Sequence, residues 1–304
     1  MLNDTINFLN KTLGIISLLL FVFGIIGNLL AYMVCRRKAL KNISTFKFIM
    51  LICINDIFGI SVWNLDIFLN AFFDFVHESL SWWWCKICVF LQYFCLQYSA
   101  WILVCLSVDR YLKVRINSWR KIYSTSKNTA TISFIVGLLI FIVNSHLLIL
   151  NGYSDNKNGT EIVRCYSPKF FFNHISYIPF WHKVHVYLYS IIPFCILLVI
   201  NSLLIFKSLK PVQQIGLVSK RRKEKSKTLT YTIVALILMF FCSSLPYSIV
   251  TAYWYMELIG RPIGVLILNA LSVLSFSYHS LNFVIFLFTN VKFWQECQLM
   301  FKRK

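Results

Sequence analysis

The stretch Ser107-Val108-Asp109-Arg110-Tyr111 ends a run, Ile87–Val108, that contains no charged residue. An Asp-Arg-Tyr triplet alone means little. At the mouth of a membrane-crossing helix, however, it sets a charged pair where exposure to lipid is costly. Such a pair is read as functional by default, provided the rest of the chain agrees that the run crosses a membrane.

The composition agrees. Of 304 residues, 58% are hydrophobic and only 13% are charged, with a mean hydropathy of +0.69. A soluble domain is about half apolar and about a quarter charged. This chain has too little polar surface to cover a water-soluble globule. A crossing helix needs about 20 mostly apolar residues. Seven stretches qualify: Leu13–Cys35, Phe46–Asn70, Lys86–Leu112, Asn128–Leu150, Val184–Lys207, Thr228–Tyr255 and Ile263–Phe288. The fold class is therefore an all-α membrane protein, a single seven-helix bundle over 13–288. Residues 1–12 form a terminal segment outside, and 289–304 an inner tail. Met1 to Gly14 carries Asn3, Asp4, Asn7, Asn10 and Lys11 ahead of any apolar run. The first helix is thus expected to act as its own insertion signal.

The net charge of +19 would suit nucleic acid, but the placement of the charges does not. Of the 30 Lys and Arg residues, 23 fall in the loops after helices one, three and five and in the tail. The positive-inside rule puts those loops in the cytoplasm, with the amino terminus outside and the carboxyl terminus inside. Sequons occur at Asn3, Asn10, Asn42 and Asn158. Asn3, Asn10 and Asn158 fall outside, where glycosylation is possible, while Asn42 falls inside and should be silent.

Ten cysteines are present. Most lie within helices, where Cys is a small apolar filler. Cys85 and Cys165 stand at the outer face, where a disulfide can form, with Cys88 as the competing partner. Cys297, in a juxtamembrane amphipathic stretch, is a weak palmitoylation candidate.

On this frame the chain resembles a rhodopsin-like (class A) G-protein-coupled receptor over nearly its whole length. The motifs appear in order: Gly27-Asn28, Asn55-Asp56, Trp84-Cys85, Asp109-Arg110-Tyr111, Pro193, Pro246, Asn282 and Phe293-Trp294. The last pair, followed by Cys297, resembles the short amphipathic eighth helix of the family. There are departures. Val136-Gly137 stands where helix four usually carries tryptophan. Helix six reads Ser243-Ser244-Leu245-Pro246, and helix seven reads Asn282-Phe283-Val284-Ile285-Phe286. Asn201 stands near the usual helix-five tyrosine. The pattern is that of a divergent peptide-type receptor, with FMRFamide-receptor-like proteins the nearest comparison.

The resemblance implies roles for particular residues. Asp109, Arg110 and Tyr111, with Phe240, Pro246 and Asn282, form the coupling and activation switch toward a heterotrimeric G protein. Asp109 is expected to hold Arg110 at rest. An acid on helix six usually helps; the matching place is near Ser226 with Glu224 close by, so this lock is expected to be weak and basal activity raised. Asp56, Ser99 and Asn282 resemble the family's allosteric sodium pocket, with Tyr278 and Cys95 nearby. The ligand pocket falls on Asp66, Gln92, Tyr93, Leu96, Tyr247, Ser248, Thr251, Ser272 and Phe276. Gln92 stands where amine receptors carry aspartate, and Phe276 where opsins carry the retinal lysine, which argues against both ligands. The outer rim is acidic: Asp66, Asp74, Glu78, Asp155, Glu161 and Glu257. A neuropeptide with a cationic group, such as an Arg-Phe-amide, would pair with Asp66. The alternative is a chemosensory or small-molecule receptor. Transporters usually show internal repeats, broken helices or chains of intramembrane acids; here Asp56 stands alone at mid-depth. His146, His185 and His279 are scattered singly, which argues against an intramembrane enzyme.

Overall fold

The computed structural model describes residues 2–116, 118–157, 160–165, 177–209 and 217–302. Among them are seven helices long and apolar enough to cross a membrane. They are α1 (Leu2–Cys35), α2 (Ser44–Phe73), α3 (Trp82–Arg115), α4 (Ser126–Leu150), α5, α6 (Leu217–Ile259) and α7 (Pro262–Thr289). α5 runs through Tyr177–Val186, a π-helical turn Tyr187–Ile191, and Ile192–Leu209. A short α8 (Val291–Phe301) follows. The helix starts are written in the sequence. Ser81 caps α3 by accepting from Trp84 N (3.3 Å), Thr125 caps α4 by accepting from Asn128 N (3.2 Å), and Asn290 caps α8 by accepting from Phe293 N (3.1 Å). Pro262 opens α7, at the position where its missing N–H costs nothing.

The burial pattern is that of a protein solvated by hydrocarbon. Phe134 and Leu139 of α4 are 71% and 58% exposed, while Asn28, Asp56, Ser99 and Asn282 are fully buried. Backbone polar groups are satisfied within helices, as a bilayer demands. α3 packs against α2, α4 and α5, and α1 against α2 and α7. One end of the bundle carries the Cys85–Cys165 disulfide and the other carries Asp109.

Three helix starts lie well ahead of the sequence reading. α1 begins at Leu2 rather than Leu13, because no Gly or Pro interrupts its polar first turns and Asp4 complements the positive helix start. Asn3 and Asn10 therefore lie within a helix, and Asn10 Oδ1 accepts from Asn269 Nδ2 of α7 (3.4 Å). α6 begins at Leu217 rather than Thr228, since the basic stretch is built of straight-chain helix formers. α5 begins at Tyr177 rather than Val184, and its π turn precedes Pro193, whose ring crowds the carbonyl four residues back. The described residues also include a small hairpin, which the sequence reading did not expect. β1 (Tyr153–Lys157) pairs antiparallel with β2 (Thr160–Arg164), Tyr153 opposite Arg164. The intervening sequence, Asn158-Gly159, is the pair that two-residue hairpins favour. The Asn158 sequon lies outside the described residues.

Candidate functional site

Polar side chains occupy three levels of the bundle. At the disulfide end, Cys85 and Cys165 are bonded, their Cα atoms 5.5 Å apart. Cys88 remains a free, buried thiol. Gly152, at φ +71°, lies so close to the Trp82 carbonyl that no Cβ would fit. Nearby, a cavity of about 160 Å³ is lined by Trp63, Asp66, Asn70, Glu78 and Asn269, with Ile67 and Val76. Asp66 Oδ1 accepts from the His77 backbone N–H (2.7 Å) and touches His77 Nδ1 at 2.5 Å. Its Oδ2 is buried without a partner. The hydrogen bond to Asp66 pushes the His77 pKa up against its partial burial, and the charges of Asp66 and Glu78 add to the rise.

The other pocket residues form two neighbouring groups. On one side Trp63 Nε1 donates to Ser272 Oγ and its ring stacks on Phe276 at 5.8 Å; Tyr247 faces Ser272. On the other, Tyr93 OH stands 3.4 Å from His182 Nδ1 and its ring meets His185 at 4.8 Å. Gln97 connects His185 (3.1 Å) to Asn144 (2.7 Å). Ser248 accepts from Ser190 (3.0 Å). Gln92, Leu96 and Thr251 are buried. Asp66 lines the side cavity instead of sharing contacts with Tyr93. The side chains of Asp155 and Glu161 lie outside the described residues.

At mid-bundle, the fully buried Asp56 is engaged from two helices. Oδ1 accepts from Ser99 Oγ (2.7 Å) and contacts His279 Nδ1 (2.8 Å), and Oδ2 accepts from Asn282 Nδ2 (2.5 Å). Asn55 donates to Ser99 Oγ (2.8 Å), and Asn28 Nδ2 donates to the His279 carbonyl (2.9 Å). Hard cations take shells of oxygen ligands. Here both carboxylate oxygens already hold donors and an imidazole nitrogen abuts one of them. As arranged, the Asp56, Ser99 and Asn282 set does not fit sodium. Among the described residues no cluster of three His, Cys, Asp or Glu side chains is placed to hold a metal.

At the opposite end, the expected clasp between Asp109 and Arg110 is replaced. Asp109 Oδ2 accepts from Lys113 Nζ (2.6 Å) and Ser44 Oγ (2.8 Å), and Oδ1 from Trp119 Nε1 (3.2 Å). Arg110 donates to Thr45 Oγ1. The reason is helical geometry: residues four apart share a face, and adjacent ones do not. Tyr111 is half-buried. The side chains of Glu224 and Ser226 lie outside the described residues. Above this level Phe240 is fully buried, edge-on to Tyr189 and Tyr278 at 5.3 Å each. Pro246 lies inside α6. Phe293 packs on Phe283 and Phe286 (6.0 and 5.7 Å). Cys297, the weak palmitoylation candidate, is 6% exposed and packs within the same core. Arg37 and Glu296 tie α8 to the loop after α1 at 2.5 Å.

Helices, disulfide and Asp109 level thus agree with one architecture, and comparison with known proteins decides it. The profile described as 7 transmembrane receptor (rhodopsin family) matches residues 27–295. The chain belongs to the rhodopsin family of seven-transmembrane receptors. It is a multi-pass membrane receptor, not an enzyme. Similar receptors include cysteinyl leukotriene receptor 2 of Sus scrofa, 26% identical over 83% of this chain and 70% of the relative. The Homo sapiens counterpart is 27% identical over 79% and 66%. The neuropeptide S receptor of Rattus norvegicus is 30% identical over 78% and 65%.

Several residues of the receptor escaped the sequence reading. His279 was set aside as isolated, although it lies three residues before Asn282 and shares its face. His77 lies eleven residues after Asp66, too far for any local pairing rule. Trp63, three residues before Asp66, carried the same face signal as His279.

Proposed function

We propose that this receptor sits in the plasma membrane, amino end outside, and binds an extracellular ligand with a cationic group, a neuropeptide of Arg-Phe-amide type. It passes the signal to a heterotrimeric G protein at the Asp109 end. The observation that carries the ligand reading is the side cavity, lined by Asp66 and Glu78, with Asp66 Oδ2 buried and unpartnered. A guanidinium is suited to such a carboxylate, since it donates through a planar fork. Trp63 on the cavity wall offers an aromatic face. The other ligand contacts would come from Gln92, Tyr93, Leu96, Tyr247, Thr251, Ser272 and Phe276. Arg110 would reach the G protein as α6 swings about Pro246. The excess of Lys and Arg in the loops on the Asp109 side supports the orientation. Asn3, which is exposed, is the better glycosylation acceptor; Asn10 is half-buried against Asn269.

The test is second-messenger output, cAMP and calcium, in cells expressing wild type, Asp66→Asn and Arg110→Ala. Each is challenged with a peptide library that includes Arg-Phe-amides. A response lost at Arg110→Ala and right-shifted at Asp66→Asn supports the reading. An unchanged response at both refutes it. A small-molecule ligand is the second reading, favoured by the cavity's small volume of about 160 Å³ and by relatives named for cysteinyl leukotrienes.

A further inference from the structure

We infer that His279 takes the place of a bound cation: the imidazole is the built-in partner of Asp56, and the resting receptor is independent of sodium. This goes beyond the ligand reading and does not rest on it.

Asp56 is fully buried at mid-bundle. A carboxylate there is costly unless a proton, a cation or donors satisfy it. His279 Nδ1 stands 2.8 Å from Oδ1, while Ser99 and Asn282 occupy the remaining approaches. A cation arriving at Oδ1 would meet a ring nitrogen where it needs an oxygen.

The imidazole cannot easily withdraw. It is 2% exposed and flanked by the rings of Phe276 and Tyr278 at 5.8 and 5.0 Å. Its own carbonyl accepts from Asn28 Nδ2 of α1. One residue on, α1 and α7 are in close contact: a Cβ on Gly24 would lie 2.9 Å from Ser280 Oγ. Backbone retreat of α7 is therefore hindered as well.

The surroundings say what would follow if the ring were removed. Asn28 Oδ1, Asn282 Oδ1 and the Tyr278 hydroxyl are buried without hydrogen-bond partners. Asp56 and Ser99 Oγ, with Asn282 from the same cluster, would then offer oxygens, the chemistry that a hard monovalent cation selects. One side chain thus separates a protein-capped carboxylate from a sodium site.

The experiment is thermal unfolding of the purified, detergent-solubilised full-length receptor in sodium chloride against choline chloride at equal ionic strength. No receptor ligand is present. Wild type is expected to unfold at the same temperature in both salts. His279→Ser and His279→Asn, which remove the ring, are expected to unfold several degrees higher in sodium. Adding Asp56→Asn to His279→Ser should abolish that shift. Sodium stabilisation of wild type overturns the inference outright, even if neither variant is recovered folded. Folded variants that ignore sodium also overturn it, because the imidazole is then not what excludes the ion.

Discussion

His77 Nδ1 and Asp66 Oδ1 lie 2.5 Å apart, so the carboxylate proposed to receive a ligand cation already holds a basic partner from the next loop. Ligand and imidazole compete for one group. The proton count of His77 therefore enters the binding equilibrium.

The sign of the effect follows from the raised pKa of His77. Below that pKa, His77 is protonated and holds Asp66. Above it, the neutral ring yields more readily to a guanidinium. The groups facing the ring are Asp66 of α2, Glu78 of its own turn, and Cys88 and Trp84 of α3. Potency of an active Arg-Phe-amide should rise with pH through the His77 range and then level. His77→Gln should flatten that profile. The same contact stabilises the folded loop at low pH, and that contribution is lost as pH rises through the folded pKa. Calcium responses at stepped external pH check this, and an identical slope in His77→Gln would refute it.

Gly152 gives a prediction about stability. At φ +71°, with the Trp82 carbonyl and Lys86 Cγ 2.4 and 2.9 Å from where a Cβ would lie, it has no room for a methyl group. Gly152→Ala should cost about 1–3 kcal/mol and lower the unfolding temperature of the purified receptor. It should also reduce Cys85–Cys165 formation, because Cys85 Sγ lies 3.3 Å from the added Cβ position. Non-reducing mass analysis of the released peptides reads the second effect directly.

What the sequence made legible follows from physics that is local or one-dimensional. Apolar runs and Lys and Arg placement need only composition and spacing, and the pairing of Cys85 with Cys165, in preference to Cys88, follows once the outer face is known. What it hid were partners distant along the chain. Asp109 with Ser44, Asp56 with His279 and Gln97 with Asn144 join residues 65, 223 and 47 positions apart. The Asp109–Lys113 pair was different. It followed from helical spacing alone, yet the familiar reading of the triplet pointed to Arg110.

Lys113 therefore has a testable part in the resting state. Its ammonium meets Asp109 at 2.6 Å, with both side chains largely withdrawn from solvent, 15% and 11% exposed. Lys113→Ala leaves Asp109 with hydroxyl and indole donors only. It should lower stability by about 1–3 kcal/mol and, by loosening the Ser44 contact between α2 and α3, raise ligand-free second-messenger output. Lys113→Arg should restore both. Matched surface expression with unaltered output in Lys113→Ala would exclude the role.

Phe240 is where packing and signalling should be separable. It fills the junction of α5, α6 and α7, perpendicular to Tyr189 and edge-on to Tyr278, with no exposed surface. Truncating a buried Phe costs about 3–5 kcal/mol, transfer and cavity terms together, so Phe240→Ala should unfold at a clearly lower temperature. Phe240→Leu refills most of the volume but loses both edge-to-face contacts. If Phe240 is only filler, Leu should restore stability and ligand-free output alike. If it holds α6 in its resting position through Tyr189 and Tyr278, Leu should recover most of the unfolding temperature while basal output stays raised. Measuring unfolding and basal cAMP on the same two variants distinguishes these outcomes, and the aromatic geometry favours the second.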